Sequence, residues 1–258
     1  MSDDVPAVEV RELSTREQCA WVDPFFVDVW GVGTPPLGGE LLRALAHAGG
    51  YVAGAFVADD LVGVSVGFLA HRHRLALHSH ATGVTARARG RGVGVVLKEH
   101  QRQWALDRGV PTITWTFDPL VRRNAWFNIA KLGAQPEEYL VDFYGAMGDE
   151  INGADESDRL FMVWDLEGRP APVDPDTARL PTLLACRDET PVVQASDSET
   201  VLVATPPDIE GLRRREPDLA REWRVALRAV LAGELAGGQV VGFTPAGEYV
   251  VRRGAARA

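Results

Sequence analysis

The chain has 258 residues, 46% hydrophobic and 24% charged, with a formal net charge of −9, an ordinary balance for a folded chain with a sizeable core. An excess of 36 acidic over 27 basic side chains, with no extended basic stripe interleaved with aromatics, argues against nucleic acid as a partner. The apolar runs are strand-length rather than membrane-spanning, and Cys19 and Cys186 lie far apart with no CxxC or Cys/His spacing, so neither a disulfide framework nor a zinc site is expected.

The opening MSDDVPAVEV lacks the basic start and apolar segment of a signal peptide, which makes a cytoplasmic location the default expectation. Ala7 to Leu13 alternates as a strand, and Ser14-x-x-Glu17 reads as a capping box ahead of a helix starting near Thr15. Pro24 either kinks that helix or marks the junction of two shorter ones, residues 31–36 form a loop, and a second helix runs from Glu40 to Ala48 before Gly49-Gly50. Two strands, Tyr51 to Ala58 and Leu61 to Ala70, are joined by Asp59-Asp60 as a hairpin, and His71-Arg-His-Arg makes a polar corner.

Leu77 to Thr85 reads as a buried strand, Ala86 to Gly94 as an Arg- and Gly-rich turn, and the following helix places Val93, Val96, Leu97, His100 and Trp104 at helical spacing. Glycines 90, 92 and 94 open the turn to unusual dihedrals and keep side chains away from its amides, which sit at a helix start where the dipole is positive. Arg87, Arg89 and Arg91 alternate through it, and no Asp or Glu occurs from Leu61 to Lys98 in an otherwise acidic chain. An anionic ligand is the expectation.

Neither a P-loop GxxxxGK[ST] nor a GxGxxG fingerprint fits the turn. Arg89-x-x-Gly92-x-Gly94 after a hydrophobic strand resembles instead the [QR]-x-x-G-x-[GA] loop of the GNAT acyltransferases, with a second strand at Thr112 to Phe117 and a helix ending Lys131-Leu132-Gly133 in the same order, over roughly residues 8 to 166. TWTFDPLVRRNAWFNIAKLGA, then DFYG and SDRL, then a tail with Ala-x-x-Trp-Arg, resembles a bacterial subgroup of that superfamily and implies no defined substrate. The resemblance implies an α/β (α+β) fold with a mixed sheet splayed between the Leu77 to Thr85 and Thr112 to Phe117 strands. It also implies acetyl-CoA or another acyl-CoA as co-substrate. The loop Arg89, Gly90, Arg91, Gly92, Val93 and Gly94 would hold its pyrophosphate and the strand positions Thr82, Gly83 and Val84 its acyl arm, with Asn124 and Asn128 beside the pantetheine. For Asn124, helix capping is the plain alternative.

Further along, a helix is expected over Val121 to Leu132, strands over Tyr139 to Tyr144 and Leu160 to Leu166, and an acidic loop over residues 145–158 that either walls an acceptor pocket or merely connects. Residues 167–177, with three prolines, read as a linker. The organisation expected is a GNAT-like domain over 1–168, a linker over 169–180, and a small β-α-β-β appendage over 181–258. That appendage has strands near 182–186 and 200–204, a long helix with Leu219, Trp223, Ala226, Leu227, Val230 and Leu231 on one face and Arg221, Arg224 and Arg228 on another, and a closing hairpin. It is too small to bury much alone, so it would pack on the first domain or form a homodimer.

Five of six histidines cluster at 71, 73, 78, 80 and 100. Without nearby carboxylates their i, i+2 pairs make a weak case for a metal, and none is expected. In the resemblance the acyl thioester lies beside His80, whose imidazole is suited to deprotonate an acceptor amine. His78 and Thr82 would share its face, while the plain alternative is a core histidine satisfied by the backbone. The family's thiolate-protonating Tyr falls at Ile129 here, which leaves Tyr144 or water for that step. Asp118, at a strand end, either orients a base or substrate or forms a turn. The favoured activity is acetyl transfer to an amine of a small molecule, by direct attack on the thioester. An acyl-CoA lyase or decarboxylase on the same scaffold, or a non-catalytic acyl-CoA-binding protein, remains open.

Overall fold

The computed structural model describes residues 7–31, 37–145, 155–168 and 177–254. Seven strands form a mixed sheet in the order β1-β2-β3-β4-β5-β7-β6, and five form a second sheet in the order β11-β12-β10-β8-β9. The strands are β1 (Val8–Glu12), β2 (Tyr51–Val57), β3 (Asp60–His71), β4 (Leu75–Val84), β5 (Thr112–Phe117), β6 (Gln135–Leu140), β7 (Arg159–Asp165), β8 (Thr182–Arg187), β9 (Thr190–Val193), β10 (Thr200–Ala204), β11 (Gly238–Phe243) and β12 (Glu248–Arg253). The chain divides within β5 into two compact units, Met1–Trp115 and Thr116–Ala258.

In the first unit, β1 to β4 pair antiparallel in sequence order. The helices α1 (Arg16–Ala20), α2 (Val22–Trp30) and α3 (Gly39–His47) bring Cys19, Val22, Phe26 and Leu42 onto Val52, Val64 and Val66 of the sheet. Val93 and Leu97 of α4 (Val93–Leu106) pack with Ala55 and Val62 in a second cluster. Covered on two sides, β2 and the middle of β3 are buried almost continuously, as expected for strands read as unbroken apolar runs. The first capping box uses Thr15 and Gln18 rather than Ser14 and Glu17: the Thr15 hydroxyl accepts from the Gln18 amide and the Gln18 side chain accepts from the backbone of Ser14 and Thr15. The helix breaks at Trp21, so Pro24 falls in the first turn of α2, where its missing N–H costs nothing. The β2–β3 turn is centred one residue earlier than expected, with Ala58 at φ 53°.

In the second unit, α5 (Arg122–Ala125) runs into a π-helical turn over Trp126–Lys131, closed by Gly133 at φ 72°. The expected strand over Tyr139 to Tyr144 lies instead at Gln135–Leu140. Its Pro136 is tolerated because β6 is an edge strand, and the chain turns at Asp142, which has φ 45° and an amide held by Asp158 at 3.0 Å. The C-terminal segment is larger than a β-α-β-β unit: β9 is an additional strand, hairpinned to β8 through Asp188 and Glu189 at positive φ. Its helices are α6 (Ile209–Arg215), capped by Asp208, α7 (Pro217–Leu227), a π-helical turn over Arg228–Ala232, and α8 (Gly233–Leu235). The buried face of α7 carries Ala220, Trp223, Arg224 and Leu227, so Arg224 belongs to the core rather than to the expected arginine face. Residues 32–36 of the predicted loop, 146–154 of the acidic loop and 169–176 of the linker fall outside the described residues.

Candidate functional site

The parting of β4 and β5 defines the site in the first unit. The two strands run parallel and pair only at Leu77↔Ile113 and His78↔Thr114, although β4 continues six residues further to Val84. Within β4 the register to β3 shifts between Ala81↔Val66 and Ser79↔Gly67, leaving His80 as the extra residue of a bulge. A bulge reverses the alternation of side chains. His78 and His80 therefore share the face of Phe68, with rings at 5.2 and 5.8 Å from it, whereas Thr82 stands on the other face, its hydroxyl 2.9 Å from Ser65. The expectation that His80 and Thr82 face the same way is corrected by that one inserted residue.

Gly83 is buried, and a Cβ there would lie 3.0 Å from Val29 Cγ1, so glycine is what allows α2 to approach the strand. After Val84 the chain makes a 3-10 turn at Ala86–Ala88 and enters α4 through Gly90 and Gly92, at φ 77° and 79°. A Cβ on either glycine would meet nothing within 4 Å, so the turn borders open space. The amides of Arg89 and Arg91 are spent on Ala86 and Ala88, while those of Val95 and Val96 share the Gly92 carbonyl. The amides of Gly92, Val93 and Gly94 thus precede the first intrahelical bond and form the positive end of a helix of 14 residues. Arg89 and Arg91 are exposed beside them, and Arg87 lies 3.4 Å from Asp60. An open cleft of about 620 Å³ adjoins the turn, lined by Trp21, Phe25, Asp28, Thr85 and Arg87 among others. The buried Thr85 Oγ1 has no hydrogen-bond partner among the described residues.

Burial pushes the His78 imidazole down to about 4, with the neighbouring His80 and Lys98 adding to the effect; its Nδ1 is 3.1 Å from the Thr114 hydroxyl. Burial also lowers His80, whose ring packs near Phe68, although the residue keeps an exposed surface. Both rings are neutral near pH 7. The buried face of α4 holds two polar side chains that sequence reading passed over, Lys98 and Gln101, whereas Val96 is 37% exposed. The Lys98 ammonium donates to Ser79 Oγ at 2.8 Å and Gln101 Oε1 at 3.1 Å and sits 4.4 Å over the Trp115 ring, and Gln101 donates to Ser65 at 3.2 Å. Burial alone lowers Lys98 to about 7. The signal was present in the sequence: positions 98 and 101 fall inside the stripe set by Leu97, Trp104 and Ala105.

Over this architecture the ribosomal-protein-S18-alanine N-acetyltransferase of Escherichia coli superposes with a TM-score of 0.50 at 11% identity, covering 65% of this chain and 99% of that one. The chain has the GNAT fold. Lower-scoring likenesses include a GNAT-family acetyltransferase from Streptococcus pneumoniae, TM-score 0.48 at 16% identity over 61% of this chain and 98% of that one. Another, from Salmonella typhimurium and solved with its cofactor acetyl-CoA, reaches 0.49 at 14% identity, over 66% and 99% of the two chains. No family model and no curated protein matches the sequence.

The remaining residues that the GNAT resemblance singled out lie in the second unit. Asn128 is buried and Asn124 half-buried; Asn124 is not the helix cap, which is Val121. Ile129, at the position of the family's Tyr, is buried. Tyr144 is 42% exposed, its hydroxyl 3.2 Å from Thr116 Oγ1 and its ring under Arg159. Asp118 accepts from the Leu120 amide at 3.0 Å and pairs with Arg224 at 2.8 Å and with Arg213, both buried. Burial alone would raise its carboxyl, but the two guanidinium groups outweigh that and hold it far below the usual carboxylate range. Asp118 is therefore a fixed negative charge, not a proton carrier at neutral pH. Among the described residues no three His, Cys, Asp or Glu side chains are grouped to hold a metal ion, and no helix is long and apolar enough to cross a membrane.

Proposed function

We propose that the chain transfers an acyl group, acetyl in the simplest case, from acyl-CoA to an amine of a small molecule. The observation that carries this reading is the early parting of β4 from β5 together with the glycine-lined helix start at the far end of β4. A long thiol-linked arm fits along the unpaired edge of β4, and the Gly92, Val93 and Gly94 amides suit the diphosphate at its end. Gly90, Arg89 and Arg91 complete the anion cradle, while the free edge of β4 from Thr82 to Val84 lies along the arm. The unpartnered Thr85 hydroxyl, buried where strand meets cradle, fits a polar ligand there. Asn124 and Asn128 are assigned to the pantetheine on the GNAT resemblance.

An acceptor ammonium has to lose a proton before it attacks the thioester carbon. His80, neutral near pH 7 and partly exposed at the bulge, is the base in this reading. Tyr144 carries an exposed phenol, and Asp118 braces its own unit. No enzyme nucleophile takes part, and the rate comes from positioning and from amides aimed at the developing oxyanion.

The test is incubation with acetyl-CoA and with malonyl-CoA, in the presence and absence of a panel of small amines, following free thiol and CO₂. Thiol release that depends on an amine is the expected result. CO₂ from malonyl-CoA without an amine would make the protein a decarboxylase, and binding without turnover would leave it a carrier.

A further inference from the structure

The acyl-transfer reading above supplies a base, and for the proton of the leaving sulfur it has only the Tyr144 phenol or water. We propose that Lys98, acting through the Ser79 hydroxyl at the point where β4 and β5 separate, is the proton reservoir for the departing thiolate of coenzyme A. The inference rests on that reading.

The placement carries it. The last β4–β5 pair is His78↔Thr114, and the next residue on each strand, Ser79 and Trp115, is what Lys98 Nζ touches, at 2.8 Å and 4.4 Å. The amine thus stands at the apex of the gap, reached from α4. The groups it touches are Ser79 on β4, Trp115 on β5 and Gln101 on its own helix, and the titratable group nearest in effect is His78, which acts on it through space from the other face of β4. All are neutral near pH 7, and no carboxylate pairs with it among the described residues. A buried amine with only neutral partners is poised between its two charge states, and an anion arriving in the gap tips it toward ammonium. The same side chain packed for structure alone would be better as leucine, since burying an unpaired charge is costly.

The proton balance closes. As the acceptor nitrogen bonds to the carbonyl carbon, the C–S bond breaks and its electron pair goes to sulfur. Sulfur takes the Ser79 hydroxyl proton, and Ser79 takes one from Lys98. Two protons leave the acceptor nitrogen by way of His80 to solvent, and one returns from solvent to recharge Lys98, a net release of one. An ammonium near 7 is acidic enough to protonate an aliphatic thiolate, whose thiol ionises near about 8.5. His80 shares the Phe68 face of β4 while Ser79 stands on the opposite one, so acid and base approach the gap from different sides and do not short-circuit each other.

The experiment needs no acceptor. Free CoA is bound to the wild-type protein and to Lys98→Met and Ser79→Ala, and ionisation of its thiol is followed by thiolate ultraviolet absorbance against pH; desulfo-CoA, which lacks the sulfur, is titrated calorimetrically into all three. In the wild type the bound thiol should ionise about one pH unit below the free thiol, still a weaker acid than the Lys98 ammonium, so that the proton passes to sulfur. Both variants should lose that shift while binding desulfo-CoA as the wild type does. A wild-type bound thiol that titrates like the free one overturns the Lys98 role and leaves the acyl-CoA reading standing. Absence of CoA and desulfo-CoA binding to the wild type overturns both. Should Lys98→Met fail to fold, Ser79→Ala decides alone: a shift that survives it refutes the relay.

Discussion

Replacing Gly92 by glutamate tests the anion cradle with a magnitude that follows from the backbone. Gly92 has φ 79°, and a Cβ there meets nothing within 4 Å, so the fold loses only the left-handed strain of an L-residue, about 1–2 kcal/mol. The carboxylate, however, enters the space in front of the Val93 and Gly94 amides. At roughly 5 and 7 Å from the two charges of a diphosphate, with an effective dielectric of about 40, repulsion comes to about 3 kcal/mol, or a hundredfold in affinity. Gly109→Glu is the control: it too has positive φ, at 70°, and open space around its Cβ, but it follows the other end of α4. Calorimetric titration with CoA at low salt, beside thermal unfolding, should show similar destabilisation for both variants and lost affinity for Gly92→Glu alone. Equal CoA affinity in the two variants would refute the phosphate assignment.

His80→Ala should reduce amine-dependent thiol release at least tenfold with CoA affinity unchanged. Because burial lowers the His80 imidazole, the acid limb of kcat/KM should have its midpoint below 6.5; a limb above that value assigns the base to another group. Asp118→Asn removes one carboxylate from the pairs of Arg224 and Arg213, which also bind Asp155, and urea denaturation should show a loss of about 3 kcal/mol. The carboxyl is lower in the folded than in the unfolded state, so its stabilisation is complete above the unfolded value of about 3.9 and fades as pH falls below it. The wild type should lose this contribution in acid, and a flat stability profile from pH 5 to about 2 would contradict it. Gly83→Val forces atoms into the 3.0 Å approach of Val29 and should cost about 1–3 kcal/mol, read as a lower melting temperature; an unchanged one would show that α2 can yield.

Local chemistry was legible in the sequence, and long-range pairing was not. The Arg89 to Gly94 turn, the Gly133 stop and the helix start at Asp208 each depend on a few adjacent residues whose backbone preferences dominate. The β4 bulge depends on how ten residues register against a neighbouring strand, and nothing local to His80 announces it, so the face assigned to Thr82 came out reversed. Pro136 disguised β6, because a proline argues against a strand until the strand is known to lie at an edge. Short β9 needed its β8 partner to be recognised. Arg224 was grouped with Arg221 and Arg228 on a face apart from the apolar one because its partner, Asp118, lies 106 positions away.

Among the described residues, the ion pairs around Asp118 and the lone amine of Lys98 point to opposite uses of burial. Around Asp118 the charges are linked as ion pairs: Arg213 and Arg224 answer Asp118 and Asp155, and Arg228 answers Asp158 and Glu156. Such a set of linked ion pairs suits a brace within its own unit, since displacing one side chain breaks several pairs at once. Lys98 is held by a hydroxyl, an amide oxygen and an indole face. That arrangement is a poor brace, because neutral partners only partly offset the desolvation of an ammonium, yet the poor compensation is what lets a proton come and go near pH 7. Where a chain departs from the packing its own pattern prescribes, as α4 does at 98 and 101, the departure is most economically explained by chemistry at that spot. The spot is the apex of the gap where β4 and β5 part.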